Sequence, residues 1–83
     1  MTMEDEKPIK EISDIAIATY LSVVGHKLTF LKPFGKKIIF CFENSENLES
    51  DILNFYNRTA KVDPMTFAES LRNFKGMVKH QDE

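Results

Sequence analysis

Two groups of residues in this 83-residue chain have types and positions suited to chemistry. Cys41 and His26 supply a thiol and an imidazole, the pair used when a base draws the proton from a sulfur nucleophile and a third group orients that base. They fall on two neighbouring strand-like segments, so a hairpin can bring them close. No orienting partner is evident, and a single cysteine inside an apolar run reads as a small buried apolar residue. His26 then reads as a polar residue at a helix-strand junction, and the chain is expected not to be an enzyme. The second group is basic. Lys27, Lys32, Lys36 and Lys37 lie in a stretch, residues 15–42, that contains no Asp or Glu; Phe34 sits among them, and Arg72, Lys75 and Lys79 follow near the C-terminus. A basic ribbon with an exposed aromatic grips phosphate and stacks on a base, so these eight residues are the candidate nucleic-acid contacts. The competing explanation is edge protection: lysines flanking a sticky strand keep it from pairing with other chains. The net charge of −2 favours that explanation over a strongly basic nucleic-acid binder.

Other chemistries lack their residues. The chain has one cysteine and two histidines, His26 and His80, with no ligand spacing between them, so no metal is expected and no disulfide can form within the chain. Gly35-Lys36-Lys37 lacks both the earlier glycine of a phosphate loop and the Ser or Thr after the lysine. Gly25, Gly35 and Gly76 are too scattered for a dinucleotide fingerprint. No cofactor and no small-molecule substrate is implied. The acidic N-terminus has no apolar core of a secretory signal, and no apolar run approaches the roughly 18 residues that span a bilayer. The expected location is the cytoplasm, with no membrane partner.

These residues must be positioned by one small domain, because a chain of this length buries only about 60% of its unfolded surface. Residues 1–11 are polar, charged and interrupted by Pro8, and read as a flexible acidic tail. Ser13 is the expected cap of a first helix that Gly25 ends. Between them only Thr19 and Ser22 are polar, so this helix is expected at the centre of the fold. His26 to Lys32 and Lys36 to Glu43 read as antiparallel strands joined by a Lys32-Pro33-Phe34-Gly35 turn. The second strand holds five consecutive apolar residues, Ile38 to Phe42, where a strand with one wet face would alternate. A second helix is expected from about 44 or 45 to Asn57, with Leu48, Ile52, Phe55 and Tyr56 on one side. The third begins at the cap Asp63 with Pro64 in its first turn, continues through Phe67, Leu71, Phe74 and Val78, and frays over 81–83. The fold class is therefore α+β in the order α-β-β-α-α, with a two-stranded hairpin and three helices in a single domain over 12–80.

Tyr20-Leu21, Gly25-His26-Lys27-Leu28, Phe40-x-Phe42-Glu43, Phe55-Tyr56 and Val62-Asp63-Pro64 with Phe67 and Leu71 follow one another in an order that resembles a family of small uncharacterised domains of bacteria, archaea and their phages. The resemblance covers about residues 12–78. It implies an α+β fold and a phage or prophage setting, and brings no activity, cofactor or catalytic residue. A hairpin is marginal alone and has open edges, so the expectation is a protein-interaction module, with Leu31, Ile39 and Cys41 as candidate interface residues and a second copy of the chain as one partner. Nucleic-acid binding through the basic hairpin is the alternative.

Overall fold

The computed structural model describes residues 8–81 as an α+β domain in the order β1 (Ile9–Ile12), α1 (Ile15–Val23), β2 (Leu28–Phe34), β3 (Lys37–Glu43), α2 (Glu46–Tyr56) and α3 (Pro64–Gln81). The sheet has three antiparallel strands in the order β1-β3-β2, which corrects the expected two-stranded hairpin. The additional strand lies in residues 9–12, where the sequence reads as a polar tail. Pro8, Lys10 and Glu11 conceal it: four residues with an apolar residue at each end do not alternate. Yet Ile12 opposite Phe40 and Lys10 opposite Phe42 give β3 the backbone partner its second edge requires. Residues 1–7, the rest of the expected tail, and residues 82–83 lie outside the described residues; α3 itself includes Gln81.

Local chemistry accounts for the boundaries. Asp14, not Ser13, caps α1: its Oδ1 accepts from the Ala16 and Ile17 amides at 2.8 and 3.3 Å. Gly25, at φ +106°, follows the helix end in a conformation that L side chains rarely adopt. β2 runs straight through Pro33 and Phe34, so the reversal is the two-residue Gly35–Lys36 connection rather than the expected Lys32-to-Gly35 turn. Gly35 at φ +63°, in the first of the two turn positions, matches the twist of the flanking strands. Pro33 is tolerated because β2 is an edge strand. Ser45 caps α2 through Leu48 N, with Glu46 and Glu49 in the first turn, where the helix dipole favours negative charge. Asp63 opens α3, its Oδ2 accepting from the Thr66 amide at 2.9 Å and the Thr66 hydroxyl at 3.0 Å. Those bonds hold the Asp63 carboxyl below the ordinary value.

The core forms between the helices and one face of the sheet. Ile12, Phe40 and Phe42 from the strands pack with Ile17, Ala18, Tyr20 and Leu21 of α1, Leu48 of α2 and Phe74 of α3. Every residue of α1 from Ile17 to Leu21 is buried, as its uniformly apolar sequence implies. Thr19, the one polar residue in that run, returns its hydroxyl to Ile15 O at 2.7 Å and so enters the core satisfied. Two ring pairs close the layers: Phe40 with Phe74 at 5.3 Å and Tyr20 with Phe55 at 5.6 Å between centroids.

Candidate functional site: the second face of the sheet

Strand register divides the apolar run of β3 between two environments. Phe40 and Phe42, with Ile38 partly buried beside them, face the helices. Lys37, Ile39, Cys41 and Glu43 alternate with them and face the other way. Their cross-strand neighbours define the rest of that second face. Glu11 lies level with Cys41 and Ile9 with Glu43 on β1, while Phe30 lies level with Cys41, Lys32 with Ile39 and Phe34 with Lys37 on β2. None of these residues belongs to the core cluster, and Ile9, Phe30, Phe34 and Ile39 are not among the apolar residues packed against it. Phe34 is 68% exposed, Phe30 48% and Ile9 40%. Exposed large apolar residues grouped on one side of a sheet mark a binding surface more often than isolated ones do.

A break in register between Leu28 and Phe30 sets this division. The bulge uses an extra residue, so Leu28 and Leu31, three apart, both face the core and Phe30 faces outward. Leu31, a candidate interface residue from sequence, is partly buried on the core-facing side of β2; a bulge leaves no mark in the amino-acid pattern. Ile39, another of those candidates, is half-buried on the second face. Cys41 is there too but fully covered, so it offers no contact surface of its own.

Glu11 and Lys32 supply its cover. Lys32 Nζ donates to Glu11 Oε2 at 2.6 Å, joining the two outer strands across β3. The carboxylate raises the lysine's proton affinity above the ordinary value. Burial pushes the Cys41 thiol above its ordinary pKa, the Glu11 carboxylate adds to the effect, and Lys32 opposes it. Cys41 is thus a neutral thiol at pH 7. Its raised folded pKa contributes stability that is fully present below the ordinary thiol pKa and lost as pH rises through the folded value. Alkylation of the native protein by iodoacetamide is expected to be many-fold slower at neutral pH than that of the denatured chain. Equal rates would show that Cys41 is neither covered nor raised.

The structure separates the Cys41–His26 pair. His26 is on the helical side, its Nε2 2.7 Å from Asp51 Oδ2 of α2, while Cys41 is on the opposite face. The His26–Asp51 contact joins residues 25 apart with no sequence signature. It borders a cavity of about 430 Å³ lined also by Val24, Gly25, Ser45, Asn47 and Ser50. Ser45 Oγ is occupied with the α2 cap, so the cavity holds a fixed imidazole without a serine shown to be activated by it. Burial, and secondarily Asp51, raises the pKa of the nearby Tyr20 hydroxyl. Among the described residues no group of three or more His, Cys, Asp or Glu side chains is arranged to hold a metal.

The basic residues divide as well. Lys32 is tied to Glu11; Lys27 is exposed ahead of β2, and Lys36 and Lys37 are exposed at the hairpin turn beside Phe34. Lys36, Lys37 and Val78 line one cavity, which places the C-terminal part of α3 near that turn. Arg72, Lys75 and Lys79 are exposed on α3. The second face is not uniformly basic, since Glu11 and Glu43 share it.

The family model described as a domain of unknown function (DUF5659) matches residues 8–80, and the chain belongs to that family. No curated protein and no solved structure matches the chain. No helix among the described residues is long and apolar enough to cross a membrane.

Proposed function

We propose that this member of the DUF5659 family is a small non-enzymatic interaction module whose second sheet face docks onto another protein surface. The observation that carries the reading is the grouping of Ile9, Phe30, Phe34 and Ile39 on a face outside the core cluster, while Ile12, Phe40 and Phe42 on the opposite face are buried. Edge pairing is the weaker route to a protein contact. β3 is paired on both sides, β1 has four residues, and β2 carries Pro33, so neither free edge is a long uninterrupted template. The favoured partner presents apolar groups interspersed with charges of both signs, because on the face itself Phe34 lies level with Lys37, Lys32 with Ile39, Glu11 with Cys41 and Ile9 with Glu43.

Replacing Phe30 and Phe34 together by serine tests the reading. The double variant is expected to unfold within about 1 kcal/mol of the parent, since exposed cross-strand pairs contribute little. It is also expected to lose most of the parent's binding of an apolar-surface dye such as anilinonaphthalene sulfonate. A loss of about 3 kcal/mol or more, the scale of a core phenylalanine, would show that the rings are there to fold the domain. The nucleic-acid reading has one observation in favour, the exposed Lys36, Lys37 and Phe34 at a single turn. Binding to DNA or RNA that weakens steeply with added salt and is abolished by K36E/K37E would move the site there.

A further inference from the structure

The core opens at the hairpin end of the sheet. β1 stops at Ile12, opposite Phe40, where the chain turns into α1, so Lys37 to Ile39 of β3 extend past the end of β1. A cavity of about 340 Å³ occupies this gap. Ile15 of α1, Ile38 and Phe40 of β3 and Val78 of α3 give it an apolar wall, and Lys36 and Lys37 complete the lining from the hairpin turn. Ile15, Ile38 and Val78 pack against the core but are only partly buried. Lys75 and Lys79, both exposed, flank Val78 on α3, one nearly a turn before it and one directly after.

We infer that this groove docks an acidic and apolar segment of another protein, which places a large apolar side chain between Ile15, Ile38 and Val78 and carboxylates on the four lysines. The inference goes beyond the docking reading above, because the groove is on the helical side of the sheet and Phe30 and Phe34 face the other way.

Charge complementarity identifies the occupant. Lys10 and Lys32 each pair with a glutamate, whereas Lys36, Lys37, Lys75 and Lys79 enter no hydrogen bond or ion pair among the described residues. Among those residues no carboxylate lines the groove either. Asp14, the nearest in sequence, is engaged by the Ala16 and Ile17 amides as the cap of α1. Unneutralised ammonium groups around an apolar floor favour a ligand that brings negative charge and buries hydrocarbon together. A nucleic acid brings the charge, but its bases find no exposed ring in the groove to stack on: Phe40 is 1% exposed, and Phe34 is on the opposite face. The volume lies at the lower end of the roughly 300–1,000 Å³ of ligand pockets, so the groove takes an anchoring side chain or two, not a domain surface. Binding on that scale is weak and reversible, with a dissociation constant on the order of 10–100 µM.

Fluorescence anisotropy with the full chain tests this, using a labelled synthetic peptide that carries two adjacent leucines between short runs of glutamate. The controls are the same peptide with serine for leucine, the same with lysine for glutamate, and a single-stranded DNA oligonucleotide. The leucine–glutamate peptide is expected to bind in the stated range, and each control roughly tenfold more weakly or worse. K36E/K37E and K75E/K79E alter the groove from two separate elements, and each is expected to weaken binding roughly tenfold with unchanged far-ultraviolet circular dichroism. The Phe30 and Phe34 serine variant is expected to bind the peptide within about twofold of the parent, because its changes are on the other face. No binding of the leucine–glutamate peptide at millimolar concentration overturns the inference. So does equal binding of the serine peptide, which shows that charge alone attracts, or tighter binding of the oligonucleotide. Binding lost in the Phe30 and Phe34 variant and kept in both lysine variants overturns it too, and places the peptide on the second face in support of the docking reading.

Discussion

Phe40→Ala is expected to cost about 3–5 kcal/mol of folding stability, because it removes a buried phenylalanine from the layer where sheet and helices meet. Phe40 is 1% exposed, lies between Ile12 of β1 and Leu31 of β2, and contacts the ring of Phe74 on α3. Its loss opens a cavity bordered by β1, β2 and α3, and the strands cannot collapse into it without breaking register. A domain of this size has roughly 4–12 kcal/mol in total, so the variant sits near the edge of folding at 25 °C. Urea unfolding followed by circular dichroism measures the difference. A cost below about 1 kcal/mol would mean that the helical layer does not seal this face of the sheet.

Leu21→Ala is expected to cost about 2–5 kcal/mol by the same mechanism on the helical side. Leu21 is completely buried near the end of α1, a helix with no polar stripe because other elements surround it. α1 lies against α2, α3 and β1, so the cavity would loosen the element that holds the remaining helices together. The unfolding midpoint in denaturant should fall with little change in slope. A lowered slope instead would indicate that α1 detaches before the domain unfolds. The contrast with Phe30 and Phe34 matters most: these aromatics lie on the same sheet as Phe40, yet their removal is expected to cost a small fraction as much.

The helices were largely legible because their signals are local. Ser45 before α2 and Asp63-Pro64 before α3 are caps written in adjacent residues, and the 4, 3, 4 spacing of Phe67, Leu71, Phe74 and Val78 states the period directly. Gly25 and the run before it, polar only at Thr19 and Ser22, marked the end and the burial of α1. β1 was hidden because four residues with two charges make no periodic pattern; Ile9–Ile12 is a strand only because β3 has an edge to fill. The bulge that turns Leu31 inward was equally invisible, since it depends on backbone register rather than residue type. The same limit applies to Lys32–Glu11 and His26–Asp51, contacts 21 and 25 residues apart that only the assembled topology creates. The five apolar residues of β3 did report something true: both sides of the strand exclude water. One side does so under the helices. On the other, Cys41 is covered by side chains from the two flanking strands, while Ile39 remains half-buried and Phe30 exposed.

That asymmetry is the centre of the account, and nuclear magnetic resonance spectra recorded with a soluble paramagnetic agent test it most directly. The methyl group of Ile9 and the rings of Phe30 and Phe34 report the second face, while Phe40, Leu21 and Leu48 report the layer between sheet and helices. The account predicts that the agent broadens the signals of Ile9, Phe30 and Phe34 strongly and leaves Phe40, Leu21 and Leu48 nearly unchanged. Equal broadening of the two sets, or protection of Phe30 and Phe34, would contradict it.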